Sequence, residues 1–223
     1  MIKVYLDLET YRPNQSDAFI NEKIIAIGTL MDFNGAYSAS IDNEIKEYRF
    51  EDPIPSQGVW EYIETDEKVS EKGLISRFYE LLEAIKKRKK IIMIIGYNIL
   101  RFDIPLLIQR SHELKVKNIK EANAFFFNTF TIDYFQLCLP LNDMWVKGNT
   151  LRNCAEKLGE INQISPYLQE ISSSDKIAKF YENKEYNKII EHLRADLRLV
   201  RYIDLKFSKG LQSPCYSNPL SSL

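Results

Sequence analysis

Ile2-Lys3-Val4-Tyr5-Leu6-Asp7-Leu8-Glu9-Thr10 is the stretch that decides how this chain is read. Ile2, Val4, Tyr5, Leu6 and Leu8 read as a strand entering a core. Side chains alternate along a strand with period two. Asp7 and Glu9 therefore point the same way at the strand's C-terminal end. Two adjacent carboxylates on a buried strand repel each other and cost desolvation energy. A divalent cation between them turns that repulsion into ligation. The plainer alternative is a strand that ends in two solvated acids.

The chain has 223 residues, 45% apolar and 27% charged, an ordinary composition for a globular protein with one core and a small appendage. Net charge is −1. Affinity for a polyanion must then come from a local patch and a metal, not from the global field. Cys138, Cys154 and Cys215 have no metal-ligand spacing and read as free thiols of a reducing compartment. No apolar run is long enough for a membrane span, and the N-terminus enters a strand at once, leaving no room for a signal peptide. The expected location is the cytoplasm.

Outward from the first strand (2–8), residues 11–21 read as a loop and Lys23 to Met31 as a second strand, ended by the turn signal Asp32-Phe33-Asn34-Gly35. A third strand is expected near Tyr48-Arg49-Phe50, then a loop over 51–58. Leu74, Phe78, Leu81, Leu82 and Ile85 recur at helical spacing, so a helix is expected over 70–86 with Ser70 as its N-cap. Ile91 to Gly96 is continuously apolar and reads as a buried central strand. A helix follows over 102–114, with Pro105 tolerated in its first turn. A short strand and a helix from Asp133 are expected next. Thr150 to Leu158 reads as a helix stopped by Gly159. Two further helices are expected near 175–182 and 184–207. Residues 1–207 form one expected domain, and 208–223 a mobile tail. Antiparallel strands followed by helices alternating with buried strands argue an α/β sheet covered by helices.

Two more segments carry acids where chemistry could use them. Asp103 follows Gly96-Tyr97-Asn98-Ile99-Leu100-Arg101-Phe102, just past the C-terminal end of the buried strand, where ligand sites of α/β sheets gather. Alone, it also fits an acid favouring a helix N-terminus. In the last helix His192 and Asp196 are four apart and share a face. Alone, Asp196 also fits a surface partner of Arg194 and Arg198.

Together the three segments resemble the DEDD exonuclease superfamily, the DnaQ-like proteins with an RNase H-like fold. Asp7-Leu8-Glu9-Thr10 resembles the first motif of that family, Asn98-x-x-x-Phe102-Asp103 the second, and His192-x-x-x-Asp196 the third. Ile132-Asp133 and Thr150-Leu151-(x)6-Leu158-Gly159 resemble its linking segments. The likeness is nearest to the tyrosine-type branch and to polymerase-B-type proofreading domains, with His192 standing in the tyrosine register. The resemblance implies a mixed sheet of about five strands, the first three antiparallel, flanked by helices.

By the same resemblance, Asp7, Glu9, Asp103 and Asp196 would hold two divalent cations, Mg²⁺ or Mn²⁺. His192 would orient or deprotonate the attacking water, its ordinary pKa of about 6.5 suiting a base near neutrality. Leu8, Thr10, Asn98 and Phe102 would face the substrate, Phe102 as a stacking surface. The implied activity is 3′→5′ exonucleolytic hydrolysis of single-stranded nucleic acid, DNA before RNA, with a replication or repair protein as possible partner. The rivals are a catalytically weak binding module of the same fold and an RNase H-like endonuclease. Lys86 to Lys90, the densest basic run, reads as a solvated helix end, and Phe125-Phe126-Phe127 as core.

Overall fold

The computed structural model describes residues 1–13, 21–33, 45–88, 90–159 and 174–212. A mixed six-stranded sheet occupies its middle. The strands are β1 (Ile2–Tyr11), β2 (Lys23–Asp32), β3 (Ile45–Glu47), β4 (Val59–Thr65), β5 (Ile92–Gly96) and β6 (Phe130–Asp133). Their spatial order is β3-β4-β2-β1-β5-β6. β1 pairs antiparallel with β2, β2 antiparallel with β4, and β1–β5, β5–β6 and β3–β4 are parallel. The helices are α1 (Asp66–Lys87), α2 (Asp103–Glu113), α3 (Ile119–Phe127), α4 (Tyr134–Leu137), α5 (Leu151–Leu158), α6 (Ser174–Glu182) and α7 (Tyr186–Gln212).

β1 sits between two packed layers, with one face apolar from Ile2 to Leu8 and the other carrying Lys3, Tyr5, Asp7 and Glu9. Ile2, Val4, Leu6 and Leu8 face a core with Leu74, Phe78 and Leu82 of α1, Leu106 and Leu107 of α2, and Phe125 and Phe126 of α3. Tyr5 faces the opposite core, with Tyr134 of α4, Cys154 of α5 and Leu197, Val200 and Ile203 of α7. Odd-numbered positions of β1 thus look at α7 and even-numbered ones look at α1 and α2.

Several expectations are corrected. The strand sought at 48–50 lies at 45–47 and pairs parallel with β4, so the three antiparallel strands are β1, β2 and β4. β4 was not expected. Its Glu61 and Glu64 are buried, ion-paired to Arg194 and Arg77, so acids that break the apolar pattern of a strand lie inside. α3 was also unforeseen, although Asn118 and Glu121 form a capping box at its start. Ser70 does cap a helix: with φ 67° and ψ 158° it interrupts α1, and its hydroxyl accepts from the Gly73 N–H at 3.3 Å. Phe125 and Phe126 are core, whereas Phe127 is 90% exposed. Lys86 turns back onto the Phe125 ring rather than into solvent. Residues 208–212 continue α7 rather than opening a tail, and 213–223, like the loop expected at 160–173, lie outside the described residues. Cys138 and Cys154 are not free thiols but a disulfide, because α4 and α5 bring their Cα atoms to 6.1 Å.

Candidate active site

β1 delivers Asp7 and Glu9 on the face that α7 covers, and α7 delivers His192 and Asp196 one turn apart. Asp103 arrives from the other direction, at the first residue of α2. Gly96 makes the sharp exit from β5 possible: a Cβ there would lie 2.2 Å from the Ile99 side chain and 2.9 Å from the Leu6 carbonyl oxygen. Asn98 then takes a left-handed conformation, φ 64°. Asp133, 5% exposed at the end of β6, fixes this turn by accepting from the N–H groups of Asn98 (2.7 Å), Leu100 (3.1 Å) and Phe135 (3.0 Å). The sequence offered Asp133 only as a helix start, and its clamping of the turn before Asp103 was missed.

Gly28, opposite Asp7 in the β1–β2 ladder, lets α7 come close; a Cβ there would meet Leu193 and Leu197 at 2.8 Å. The result is a convergence of acids. Asp7 is pushed well above the usual carboxylate range, first by burial and then by the charges of Asp196, Asp103 and Glu9. Asp103, 4% exposed, is raised by burial to about 7, although it accepts the Leu8 N–H at 3.1 Å. Asp196 is raised by burial to about 6 against the pull of His192.

His192 Nδ1 lies 2.6 Å from Glu9 Oε1 and 3.6 Å from Asp196 Oδ2. Burial lowers its pKa, but the hydrogen bond to Glu9 and the charges of Glu9 and Asp196 outweigh that and push it to about 9. The carboxylates of Glu9 and Asp196 thus favour the charged form of the imidazole. Glu9, His192 and Asp196 each offer a donor atom within 4.8 Å of the others. Buried carboxylates that mutually repel, closed by a cation borrowed from histidine, are a donor set suited to a hard divalent metal.

The structure thus brings Asp7, Glu9, Asp103, His192 and Asp196 together. The four residues expected to face substrate lie around them. The Leu8 N–H is engaged by Asp103, and the Thr10 hydroxyl donates to Glu22 at 2.6 Å. Phe102 is half-buried against the α1–α2 core at the N-cap of α2. Asn98 Oδ1 is buried with no hydrogen-bond partner among the described residues.

A family model for "DNA polymerase family B, exonuclease domain" matches residues 3–136, which include Asp7, Glu9 and Asp103. Among solved structures, the chain is similar to the family B DNA polymerase from the hyperthermophilic archaeon Pyrobaculum calidifontis, with 14% identity and a TM-score of 0.55. That match covers 95% of this chain and 24% of the polymerase, so the chain spans about a quarter of the polymerase's length. No protein of curated function matches it in sequence.

Proposed function

The chain belongs to the exonuclease-domain family of family B DNA polymerases, a family of 3′→5′ exonucleases, and from that premise we propose that it trims single-stranded DNA from the 3′ end. The observation that carries this is the convergence of Asp7, Glu9, Asp103 and Asp196 in one cluster, Glu9 and Asp103 buried and Asp7 and Asp196 partly so. Four acids gathered where water is scarce are costly unless a cation is their normal companion. Divalent metal, Mg²⁺ or Mn²⁺ and two ions by the family likeness, would supply activation of water and neutralisation of charge at the scissile phosphate. Asp7, Glu9, Asp103 and Asp196 would hold it.

The chain's own side chains divide the remaining work. With Nδ1 of His192 committed to Glu9, Nε2 is the nitrogen left to hold or release a proton toward water. Phe102, partly exposed at the N-cap of α2 next to Asp103, would offer a ring for stacking, which accepts any base. The unpartnered Asn98 oxygen offers an acceptor beside it. Leu8 and Thr10, held by Asp103 and Glu22, would shape the pocket wall next to the terminal nucleotide. A replication or repair protein would bring the DNA end, given a net charge of −1 and no global attraction for a polyanion.

The test is a 5′-labelled single-stranded oligonucleotide incubated with Mg²⁺, Mn²⁺ or chelator, beside Asp7→Ala. A metal-dependent ladder that shortens from the 3′ end and vanishes in the variant is the expected result. Folded protein that binds the oligonucleotide but leaves it whole under every condition would make the chain a binding module.

A further inference from the structure

A second buried polar cluster lies along the same β1–α7 seam, away from the acids of the site. Lys3 Nζ donates to Asp204 Oδ2 at 2.6 Å, and both side chains are almost wholly buried, 4% and 2% exposed. The Tyr5 hydroxyl donates to the same oxygen at 2.8 Å, and the Tyr134 hydroxyl donates to Oδ1 at 2.7 Å. Beside it Arg201 of α7 pairs with Asp32 of β2 at 3.7 Å, and Asp32 stands opposite Lys3 in the β1–β2 ladder. None of these bonds includes Asp7, Glu9, Asp103 or Asp196.

The positions follow from the rises of a strand and a helix. Lys3, Tyr5, Asp7 and Glu9 step two residues at a time, about 6.6 Å per step. Asp204, Val200, Asp196 and His192 step four at a time, about 6 Å per step. The two series are nearly commensurate and run in opposite senses. Lys3 meets Asp204, Tyr5 shares a core with Val200, and Glu9 meets His192. Asp196 and Asp7 are the pair left between them. Leucine and valine contacts alone tolerate a slide of the helix, because apolar packing is not directional. A buried ion pair does not, since a slide leaves two desolvated charges unpaired.

We propose that Lys3 and Asp204, with Tyr5 and Tyr134, set the register of α7 on β1 and thereby place Asp196 and His192 opposite Asp7 and Glu9. They are positioning residues; they touch neither the acids nor a substrate. The inference rests on the nuclease reading of the acidic cluster. It concerns how that cluster is held, and a metal titration reads it even where no hydrolysis is seen.

The experiment compares Lys3→Met/Asp204→Asn and Tyr134→Phe with the unaltered protein. The double variant removes both charges together, so neither is stranded, and its amide still serves the two tyrosines. Tyr134→Phe removes one hydrogen bond and keeps the ion pair, so it remains available as a folded variant should the double one unfold. Circular dichroism and thermal melting establish folding. Calorimetric titration with Mn²⁺ is expected to show binding weakened about 10- to 100-fold in the double variant, the range for residues that orient metal ligands from behind, and about threefold in Tyr134→Phe. Turnover on the oligonucleotide should fall in parallel, with KM unchanged. Folded variants with unaltered Mn²⁺ affinity would overturn the proposal. Unaltered protein that binds Mn²⁺ yet degrades no nucleic acid would instead overturn the nuclease reading, and the same titration would still decide the role of Lys3 and Asp204.

Discussion

Gly28 stands directly across the β1–β2 ladder from Asp7, and a methyl group at that position would sit 2.8 Å from both Leu193 and Leu197. The helix that carries Asp196 can approach the strand that carries Asp7 only because residue 28 has no side chain. Gly28→Ala should therefore cost about 1–3 kcal/mol, the usual penalty for overpacking, measured by urea denaturation. It should also lower exonuclease turnover by at least about tenfold, since about 1.4 kcal/mol of misplaced transition-state contact already gives that factor. Unchanged turnover would mean that α7 sits farther from the sheet than the structure places it.

The acids of the site tie stability to pH. Asp103 and Asp196, with folded pKa values of about 7 and about 6 against an ordinary 3.8, hold protons where the unfolded chain has lost them. Their contribution is present at low pH and is lost as pH rises through about 6 to 7. His192 also has a raised value, about 9 against 6.5, so its contribution is full below about 6.5 and disappears as pH passes 9. Metal-free protein should melt at progressively lower temperature as pH rises, from pH 5 to 7 through Asp103 and Asp196 and from pH 6.5 to 9 through His192, with the slope from these groups ending above about 9. With Mn²⁺ the first of these slopes should flatten or reverse, because a cation takes the place of the protons.

Removing one of the crowded charges should separate stability from function. Asp7 is raised well above the usual carboxylate range by burial and by three neighbouring carboxylates. Asp7→Asn should raise the melting temperature of the metal-free protein by about 2–4 °C, the shift that about 1 kcal/mol gives in a domain of this size, while abolishing hydrolysis. A destabilised Asp7→Asn variant would show that the carboxylate is held by partners rather than strained by neighbours.

Asp133 holds three backbone N–H groups, two of them in the turn before α2. Asp133→Ala leaves those donors buried and unmet, at a cost of about 3 kcal/mol. Hydrogen exchange should show the 97–101 amides released first. Uniform loss of protection across the sheet would mean that the residue serves the fold at large.

The Cys138–Cys154 disulfide predicts a thiol count. Alkylation of the denatured, unreduced protein should modify one cysteine, Cys215, and prior reduction should raise this to three. Three modified cysteines without reduction would make Cys138 and Cys154 neighbouring free thiols, as the sequence had suggested.

The parts of this fold that could be read from sequence are those where pattern and burial agree. β1, β5 and α2 carry continuous or regularly spaced apolar residues, and the ends of those elements hold Asp7, Glu9 and Asp103. Hidden parts are those where polar residues lie inside. Glu61 and Glu64 disguised β4 because their partners, Arg194 and Arg77, lie 133 and 13 residues away. Lys3 and Asp204 are separated by 201 residues, and no local rule connects them. His192 was readable as a site residue, but its bond to Glu9, which decides its charge, follows only from how α7 crosses β1. The disulfide depends on the same kind of long-range placement.

The position of α7 in the chain has a consequence for synthesis. Three of the gathered carboxylates, Asp7, Glu9 and Asp103, lie within the first half of the sequence, and β2 and β5, the partners of β1, precede α7 in the chain. Asp196 and the Asp204 that registers it leave the ribosome about a hundred residues later, some 5–20 s at ordinary elongation rates. During that interval the strand that carries Asp7 and Glu9 lacks the helix that covers that face. α7 both covers the odd-numbered face of β1 and completes the cluster, so a product truncated before it would carry most of the acids without Asp196 or the contacts that register it.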